Sequence, residues 1–160
     1  MQSERKYSLL EAKARLEALC AYQERCTFEL RKKMGLWKMD FEDQDRLISD
    51  LISNNFLNEE RYAEAYVSGR TRIKKWGRIK IRIELKRKFI SDYSINKGLK
   101  SIDLDEYWNN LYGLAERKWN LLSAEKDLFK RKVKLYRFLS SKGYETDLIK
   151  DAVDQVINKQ

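Results

Sequence analysis

Apolar and polar residues follow a pattern that occurs three times along this chain. Three leucines fall in similar local sequences 55 and 54 residues apart, and each is followed by a second helical pattern of apolar residues. The leucines are Leu30, Leu85 and Leu139, and this alignment gives the first repeat about seven extra residues before its next helix. A period of this size is typical of stacked helical units that bury their apolar faces against one another.

Helix-start signals occur within the same pattern. Asn58 precedes two glutamates, as expected of an N-cap followed by a negatively charged first turn. Asp103 with Glu106 resembles a capping box in front of an aromatic helical stripe. The chain is therefore predicted to form three units, at residues 1–57, 58–103 and 104–160.

One segment fits two kinds of secondary structure. From Arg78 to Leu85, charged residues alternate with isoleucine or leucine, and a period of two is typical of a strand. A helix would place Ile79, Ile83 and Ile90 on one stripe and Ile81, Leu85 and Phe89 on another. Such a helix could contact two neighbouring helices at once. The alignment of Leu85 with the other two leucines favours the helix, while the strand stays the competing interpretation.

The composition supports a helical fold and offers little for catalysis. Proline is absent and glycine is scarce at six, while Lys, Glu, Leu, Arg and Ile are abundant. Histidine is absent, which removes the commonest general base and most zinc sites. The acidic residues 40–45 lack the glycine and glutamate of a calcium-binding loop and are instead predicted to begin a helix. We expect no enzyme activity, no cofactor and no metal.

The cysteines and the N-terminal sequence bear on the location of the protein. Cys20 and Cys26 lie six residues apart in a helical segment, so they point to different faces and are expected to be reduced and partly buried. The N-terminal residues are charged and lack the apolar run of a signal peptide. No stretch approaches the roughly 20 apolar residues of a membrane span. A cytoplasmic protein without membrane contact is expected.

The net charge is concentrated in residues 70–88, which we call the basic segment. It carries ten Lys or Arg and one acid, a formal charge of +9 (ten minus one) that equals the net charge of the whole chain. This concentration indicates a polyanionic or acidic partner, and a solvated face is the plain alternative. Gly77 is a plausible break between two helices that together could present a cationic ridge to phosphates. The candidate contact residues are Arg70, Arg72, Lys74, Lys75, Arg78, Lys80, Arg82, Lys86 and Arg87.

Several short sequences in the chain resemble one known family. They are FLNEERYA at residues 56–63, Tyr66-Val67, Trp76-Gly77-Arg78-Ile79 and Glu84-Leu85, with weaker flanking similarity at residues 22–30 and 139–144. Together they resemble the RecX family, the regulatory proteins of the bacterial recombinase RecA. The similarity covers about residues 9–157, and its central part is the most specific.

This resemblance implies an all-α protein of three tandem three-helix repeats that form an elongated, curved array. Family members bind in the groove of the RecA filament on DNA, lower its ATPase and strand-exchange activities, bind DNA themselves and have no catalytic residues. The implied partners are therefore the RecA filament and single- and double-stranded DNA, in recombination, repair and the SOS response, with no small-molecule substrate. The family usually has glycine where this chain has Asn55 and Phe89, so we expect the helix end at Phe89 to close differently.

Two other functions fit the same residues. One is an independent helical DNA-binding regulator of helix-turn-helix type that reads duplex DNA. The other is a helical adaptor for an acidic protein. Trp76, within the basic segment, could stack on a base, although closing the junction between two helices is the favoured role.

Overall fold

The computed structural model describes residues 4–159, which form nine α-helices and no strand. The all-α prediction is confirmed. The helices are α1 (Leu9–Tyr22), α2 (Thr27–Leu36), α3 (Phe41–Ser53), α4 (Glu59–Arg72), α5 (Arg78–Arg87), α6 (Asp92–Lys100), α7 (Leu104–Leu121), α8 (Leu128–Ser141) and α9 (Thr146–Asn158).

The predicted helix starts lie where the capping residues were expected. Asp40, Asn58 and Asp103 each accept, through the side chain, the backbone N–H of the residue three positions later, at 2.9 Å in all three cases. Each cap satisfies a donor that the first helical turn would otherwise leave unpaired, and such a cap stabilises a helix by about 1 kcal/mol. The acidic residues 40–45 therefore begin α3, as predicted.

The alternating segment forms a helix, α5. Ile81 and Leu85 are fully buried, whereas Ile79 and Ile83 are close to half exposed. Burial of one stripe supplies enough packing to override the strand pattern of the sequence. The helix contacts two neighbours, α4 and α6, as expected. Each predicted stripe is divided, however, because Ile81, Leu85 and Ile90 lie in the core, whereas Ile79, Ile83 and Phe89 are exposed.

Each group of three consecutive helices packs mainly within itself around its own apolar core. The core of α1–α3 includes Leu16, Leu30, Met34 and Leu51. The core of α4–α6 includes Val67, Ile81, Leu85 and Ile95, and that of α7–α9 includes Leu111, Leu135, Leu139 and Val153. The fold is therefore a tandem array of three-helix units, while the residue boundaries given above for the units stay a prediction.

The predicted alignment of the repeats is wrong by one helical turn in the first repeat. In the middle helix of each repeat (α2, α5 and α8), the last buried residue is Met34, Leu85 and Leu139, respectively. Four residues later comes a residue with positive φ, which is Lys38, Phe89 or Gly143. Six residues later comes the N-cap of the third helix, which is Asp40, Ser91 or Glu145. Met34, not Leu30, is therefore the counterpart, and the first repeat has no extra residues at this connection.

A buried polar residue explains the misalignment. Gln44 lies ten residues after Met34, at the position that Ile95 and Ile149 occupy in the other repeats, and it is only 4% exposed. Its side-chain amide donates to the carbonyl oxygen of Met39 at 2.9 Å, so the buried group is satisfied. A polar residue at this core position breaks the apolar pattern that the sequence alignment followed.

The helix ends at Asn55 and Phe89 both adopt the left-handed conformation, with φ of 63° and 61°. The backbone N–H of Ile90 donates to the carbonyl of Leu85 at 3.2 Å, which closes α5 as a glycine there would. The expectation of a different closure at Phe89 is therefore wrong. The Phe89 side chain is 79% exposed, and its ring centroid lies 5.5 Å from that of Phe28.

Both cysteines are free and buried, as predicted. Burial raises the pKa of the Cys20 and Cys26 thiols, so both stay protonated at neutral pH. Cys26 begins α2 yet packs in the core of α4–α6, so the first repeat inserts a residue into the second.

Candidate interface on the basic segment

The nine predicted contact residues lie at the end of α4, on the turn that follows and on α5. Four of them pair with a carboxylate: Arg72 with Glu106 at 3.3 Å, Arg78 with Glu145 at 2.8 Å, Lys86 with Asp92 at 3.2 Å and Arg87 with Glu84 at 3.0 Å. Within residues 4–159, the five without a carboxylate partner are Arg70, Lys74, Lys75, Lys80 and Arg82. Of the nine candidates, most of those without a carboxylate partner therefore lie at or near the α4–α5 turn.

Two of these cations flank one indole ring, and two more precede it directly in the sequence. We call Arg70, Lys74, Lys75, Trp76 and Lys80 the turn cluster. The Arg70 guanidinium carbon lies 5.3 Å from the Trp76 ring centroid, and the Lys80 ammonium nitrogen lies 4.4 Å from it. Cation–π attraction at these distances holds both charges beside the ring. Trp76 is half-buried against the core of α4–α6, which agrees with the predicted closing of the helix junction.

The cations of α5 lie on two sides of the helix. At about 100° per residue, Arg78 and Arg82 flank one side of the buried stripe and Lys80 flanks the other. Arg82 donates to the Asn96 side-chain oxygen on α6 at 2.7 Å, while Lys80 contacts Trp76. The basic segment thus presents two groups of cations, separated by the exposed isoleucines of α5, rather than one continuous ridge.

Backbone contacts with the third repeat fix the position of the α4–α5 turn. The N–H of Gly77 donates to the carbonyl of Lys142 at 2.7 Å, and the N–H of Ile79 donates to the carbonyl of Gly143 at 2.9 Å. The Tyr144 hydroxyl donates to the carbonyl of Lys75, also at 2.7 Å. These contacts satisfy N–H groups at the start of α5 that have no partner within the helix.

Two glycines allow this close approach. A Cβ on Gly77 would lie 2.3 Å from the carbonyl carbon and oxygen of Gly143, which no side chain tolerates. A Cβ on Gly143 would lie 2.3 Å from the Cβ of Lys80, and Gly143 also has a φ of +93°. Gly77 separates α4 from α5 as predicted, and the contact with the third repeat is the reason that it must be glycine.

Arg78 takes part in the same junction. Its backbone N–H donates to the Tyr107 hydroxyl oxygen at 3.0 Å, and Tyr107 in turn donates to the Glu145 carboxylate. Burial, together with the hydrogen bond to Glu145, raises the pKa of Tyr107, so the hydroxyl keeps the proton that it donates. Because the Arg78 guanidinium pairs with Glu145, this cation is compensated within the protein.

The described part of the chain offers no metal site and no membrane span. Residues 4–159 contain no group of three or more His, Cys, Asp or Glu side chains that could hold a metal ion. No helix among them is long and apolar enough to cross a membrane. The cations of the basic segment can bind an anionic or acidic surface.

Sequence reasoning missed the residues that position this surface. Tyr107, Tyr144 and Glu145 belong to the third repeat, and nothing in their local sequence separates them from core or capping residues. Lys100 on α6 was also missed because it lies outside the basic segment. In the structure it lines a groove between α5 and α6 together with Arg82. The lone glycine in the Lys142-Gly143-Tyr144 turn is the signal that could have indicated a close contact.

Comparison with known sequences identifies two domains. The family model of the RecX second three-helix domain matches residues 58–99, and that of the RecX third three-helix domain matches residues 105–153. Regulatory protein RecX of Clostridium perfringens (strain 13 / Type A) is 37% identical over 82% of this chain and 62% of its own. Regulatory protein RecX of Chlorobium phaeobacteroides is 31% identical over 70% of this chain and 71% of its own. The chain thus spans under two thirds of the length of the Clostridium relative.

Solved structures show the same fold. The crystal structure of RecX from Lactobacillus salivarius superposes with a TM-score of 0.80 at 21% identity, covering 94% of this chain and 97% of that one. A second crystal structure of regulatory protein RecX gives a TM-score of 0.83 at 20% identity, covering 91% of this chain and 73% of that one. With two domain matches and relatives above 30% identity, the chain belongs to the RecX family.

Proposed function

We propose that this protein is a non-enzymatic regulator that binds the RecA filament on DNA and lowers its ATPase and strand-exchange activities. Its relatives are named regulatory proteins, and the turn cluster supplies cations that the described part of the chain leaves uncompensated. The proposal includes contact with DNA as well as with the recombinase, a cytoplasmic location, a place in recombination and repair, and no cofactor or small-molecule substrate.

The proposal rests on the position of the turn cluster, which lies on a turn that backbone hydrogen bonds hold to the third repeat. Four cations on a rigid turn can meet successive phosphates without first losing the freedom of a mobile loop. Phosphate contacts position a protein on DNA but read no sequence, as suits a regulator that acts along a filament. A chain seated across the filament would compete with the addition of recombinase subunits.

The first test is a RecA ATPase assay on single-stranded DNA, titrated with this protein. Inhibition should occur at concentrations at which the DNA alone stays mostly unbound by the protein. A regulator that acts only by covering DNA would instead inhibit in step with its DNA occupancy. Preference for one duplex sequence would favour the helix-turn-helix alternative.

The second test reverses charge in the turn cluster. The variant Lys74→Glu/Lys75→Glu/Lys80→Glu should lose DNA binding and keep its helical content. Arg78 is left unchanged because its reversal would oppose Glu145 within the junction. The control, Lys126→Glu/Lys130→Glu/Lys132→Glu, makes the same change in charge at α8 and the loop before it, and should bind DNA nearly as the parent does.

Salt dependence gives a quantitative check on the same surface. With four phosphate contacts, DNA affinity should fall on the order of a hundredfold between about 50 and 200 mM salt. The turn-cluster variant should lose most of this dependence, whereas the α8 control should retain it. Equal DNA affinity of the two variants would remove the turn cluster from the proposal.

A further inference from the structure

Two isoleucines on the outward side of α5 are not explained by phosphate binding. Ile79 and Ile83 are 46% and 47% exposed and lie one helical turn apart on α5, a helix that carries five Lys or Arg and a single acid. A single exposed isoleucine is ordinary, but two in register form an apolar stripe. A phosphate backbone offers such a stripe no apolar surface to cover it.

The two isoleucines line a groove of about 520 Å³ between α5, α6 and the start of α9, which we call the isoleucine groove. Leu99 contributes a third apolar side chain. The groove therefore has apolar side chains on both α5 and α6.

Positive charge surrounds this apolar lining. Arg82 and Lys100 line the groove, and neither has a carboxylate partner within residues 4–159. Among the described residues that line the groove, Glu145 alone is acidic, and it is already paired with Arg78 at 2.8 Å. An occupant would meet an apolar stripe beside two uncompensated cations.

We propose that the isoleucine groove binds a segment of the recombinase protein that carries apolar side chains next to carboxylates. Charge complementarity supports this occupant, because carboxylates would pair with Arg82 and Lys100 while apolar side chains cover Ile79 and Ile83. The inference rests on the proposed function and deepens it, since it assigns protein contact to one side of α5 and DNA contact to the other.

This division gives the regulator two simultaneous attachments. Lys80, through which the turn cluster reaches α5, lies on the side of that helix away from Arg82. DNA at the turn cluster and recombinase in the isoleucine groove would therefore not compete for the same surface. Two linked contacts raise the overall affinity for a filament above that for free DNA or free recombinase, without any change in either site. The protein would therefore prefer the assembled filament to its separate parts.

The test measures two affinities for the same variants of the full chain. One assay uses a fluorescein-labelled single-stranded oligonucleotide, and the other uses immobilised RecA from the same bacterium without nucleic acid. The variant Ile79→Ser/Ile83→Ser should bind RecA about tenfold more weakly or worse and bind the oligonucleotide unchanged. The control Ile52→Ser/Leu104→Ser removes two aliphatic side chains that are also exposed but lie outside the groove and the basic segment, and should change neither affinity.

A charge variant tests the acidic character of the occupant and keeps the proposal falsifiable if the serine variant loses helical content. Lys100→Glu should weaken RecA binding, whereas Lys126→Glu, which lies outside the groove, should not. RecA affinity that is unchanged in both groove variants overturns the proposal, as does a parallel loss of oligonucleotide binding in the serine variant. If the parent protein does not bind RecA at all, the proposed function itself fails, which is a different result from equal binding by parent and variants.

Discussion

The two junctions between repeats are built from different parts of the chain. The second and third repeats meet backbone to backbone, through the N–H groups of Gly77 and Ile79 and the carbonyls of Lys142 and Gly143. The first and second repeats meet through side chains, and a groove of about 860 Å³ stays open between them. Backbone atoms have no rotamers, so the second junction can form in only one geometry, whereas side chains can adjust.

A single arginine makes most of the polar contacts at the first junction. Arg61 in the first turn of α4 pairs with Glu24 at 2.6 Å and donates to the side-chain and backbone oxygens of Asn55, each at 3.0 Å. Cys26 and Phe28 add apolar contacts with the second core. The basic turn is therefore held to the third repeat by backbone hydrogen bonds, while the first repeat is attached by side-chain contacts that can be lost one at a time.

The largest expected effect comes from adding a methyl group where the backbones of the second and third repeats are in contact. Gly77→Ala would place a Cβ 2.3 Å from the backbone of Gly143, so the two repeats must move apart. We expect a loss of about 3 kcal/mol in the free energy of unfolding, measured by urea titration, because neither backbone can yield without breaking hydrogen bonds.

Gly69 provides the matched control for this substitution. No atom outside its own helix lies within 4 Å of a Cβ built there, so Gly69→Ala should stabilise α4 by about 0.5–1 kcal/mol. If both variants are equally stable, the backbone contact does not define the second junction.

The next effect concerns the first junction. Arg61→Ala removes the pair with Glu24 and leaves the oxygens of Asn55 without their donors, so we expect a loss of about 2 kcal/mol. Arg61→Lys should recover little of it, because an ammonium group cannot reproduce the planar fork of donors. Arg46→Ala, at an exposed position of α3, should have almost no effect in the same urea titration. Full recovery by lysine would contradict the role given to the guanidinium.

Removing one hydroxyl should have a smaller effect on stability and a visible one on binding. Tyr144→Phe loses the hydrogen bond to the Lys75 carbonyl, which should cost about 1 kcal/mol. DNA affinity should fall because Lys75, with a φ of 57°, loses a contact that holds the turn, while the salt dependence stays unchanged because no charge is removed. Tyr136→Phe is the control and should alter neither property, and a changed salt dependence in Tyr144→Phe would contradict this explanation.

The smallest expected effect concerns Phe89, which has a left-handed backbone conformation and lines the groove between the first and second repeats. Phe89→Gly should be more stable than Phe89→Ala by about 0.5–1 kcal/mol, because glycine adopts a φ of 61° without strain. At Arg46, an exposed position in the interior of α3, the order should reverse because glycine weakens a helix interior. Thermal or urea unfolding of the four variants measures both differences. Alanine more stable than glycine at position 89 would show that the helix end does not need this conformation.

The sequence alone predicted the helical class, the three repeats and the starts of α3, α4 and α7, since these depend on local signals. The side chains of Asp40, Asn58 and Asp103 cap the helices that their neighbours form, and no distant contact is needed. The register of the first repeat was misjudged because Gln44 fills a core position, and its burial is permitted only by a carbonyl that the fold brings close.

The candidate site was predicted in composition but not in arrangement. The basic segment was evident from charge counting, whereas the pairing of Arg78 with Glu145 joins residues far apart in the sequence. The isoleucine groove likewise joins α5 to Lys100 on the next helix. Sequence patterns report spacing along the chain, and these contacts depend on how separate helices pack.

What the sequence determined by itself is the set of helices and the concentration of positive charge, because capping, apolar periodicity and residue counts act locally. The tertiary structure decided which of those charges stay uncompensated and where they point. It did so at one contact, where Gly77 meets Gly143 and the third repeat satisfies the N–H groups of α5. The physical reason is that a backbone hydrogen bond between repeats requires two distant segments to come within about 3 Å, a condition that only the packed fold can meet.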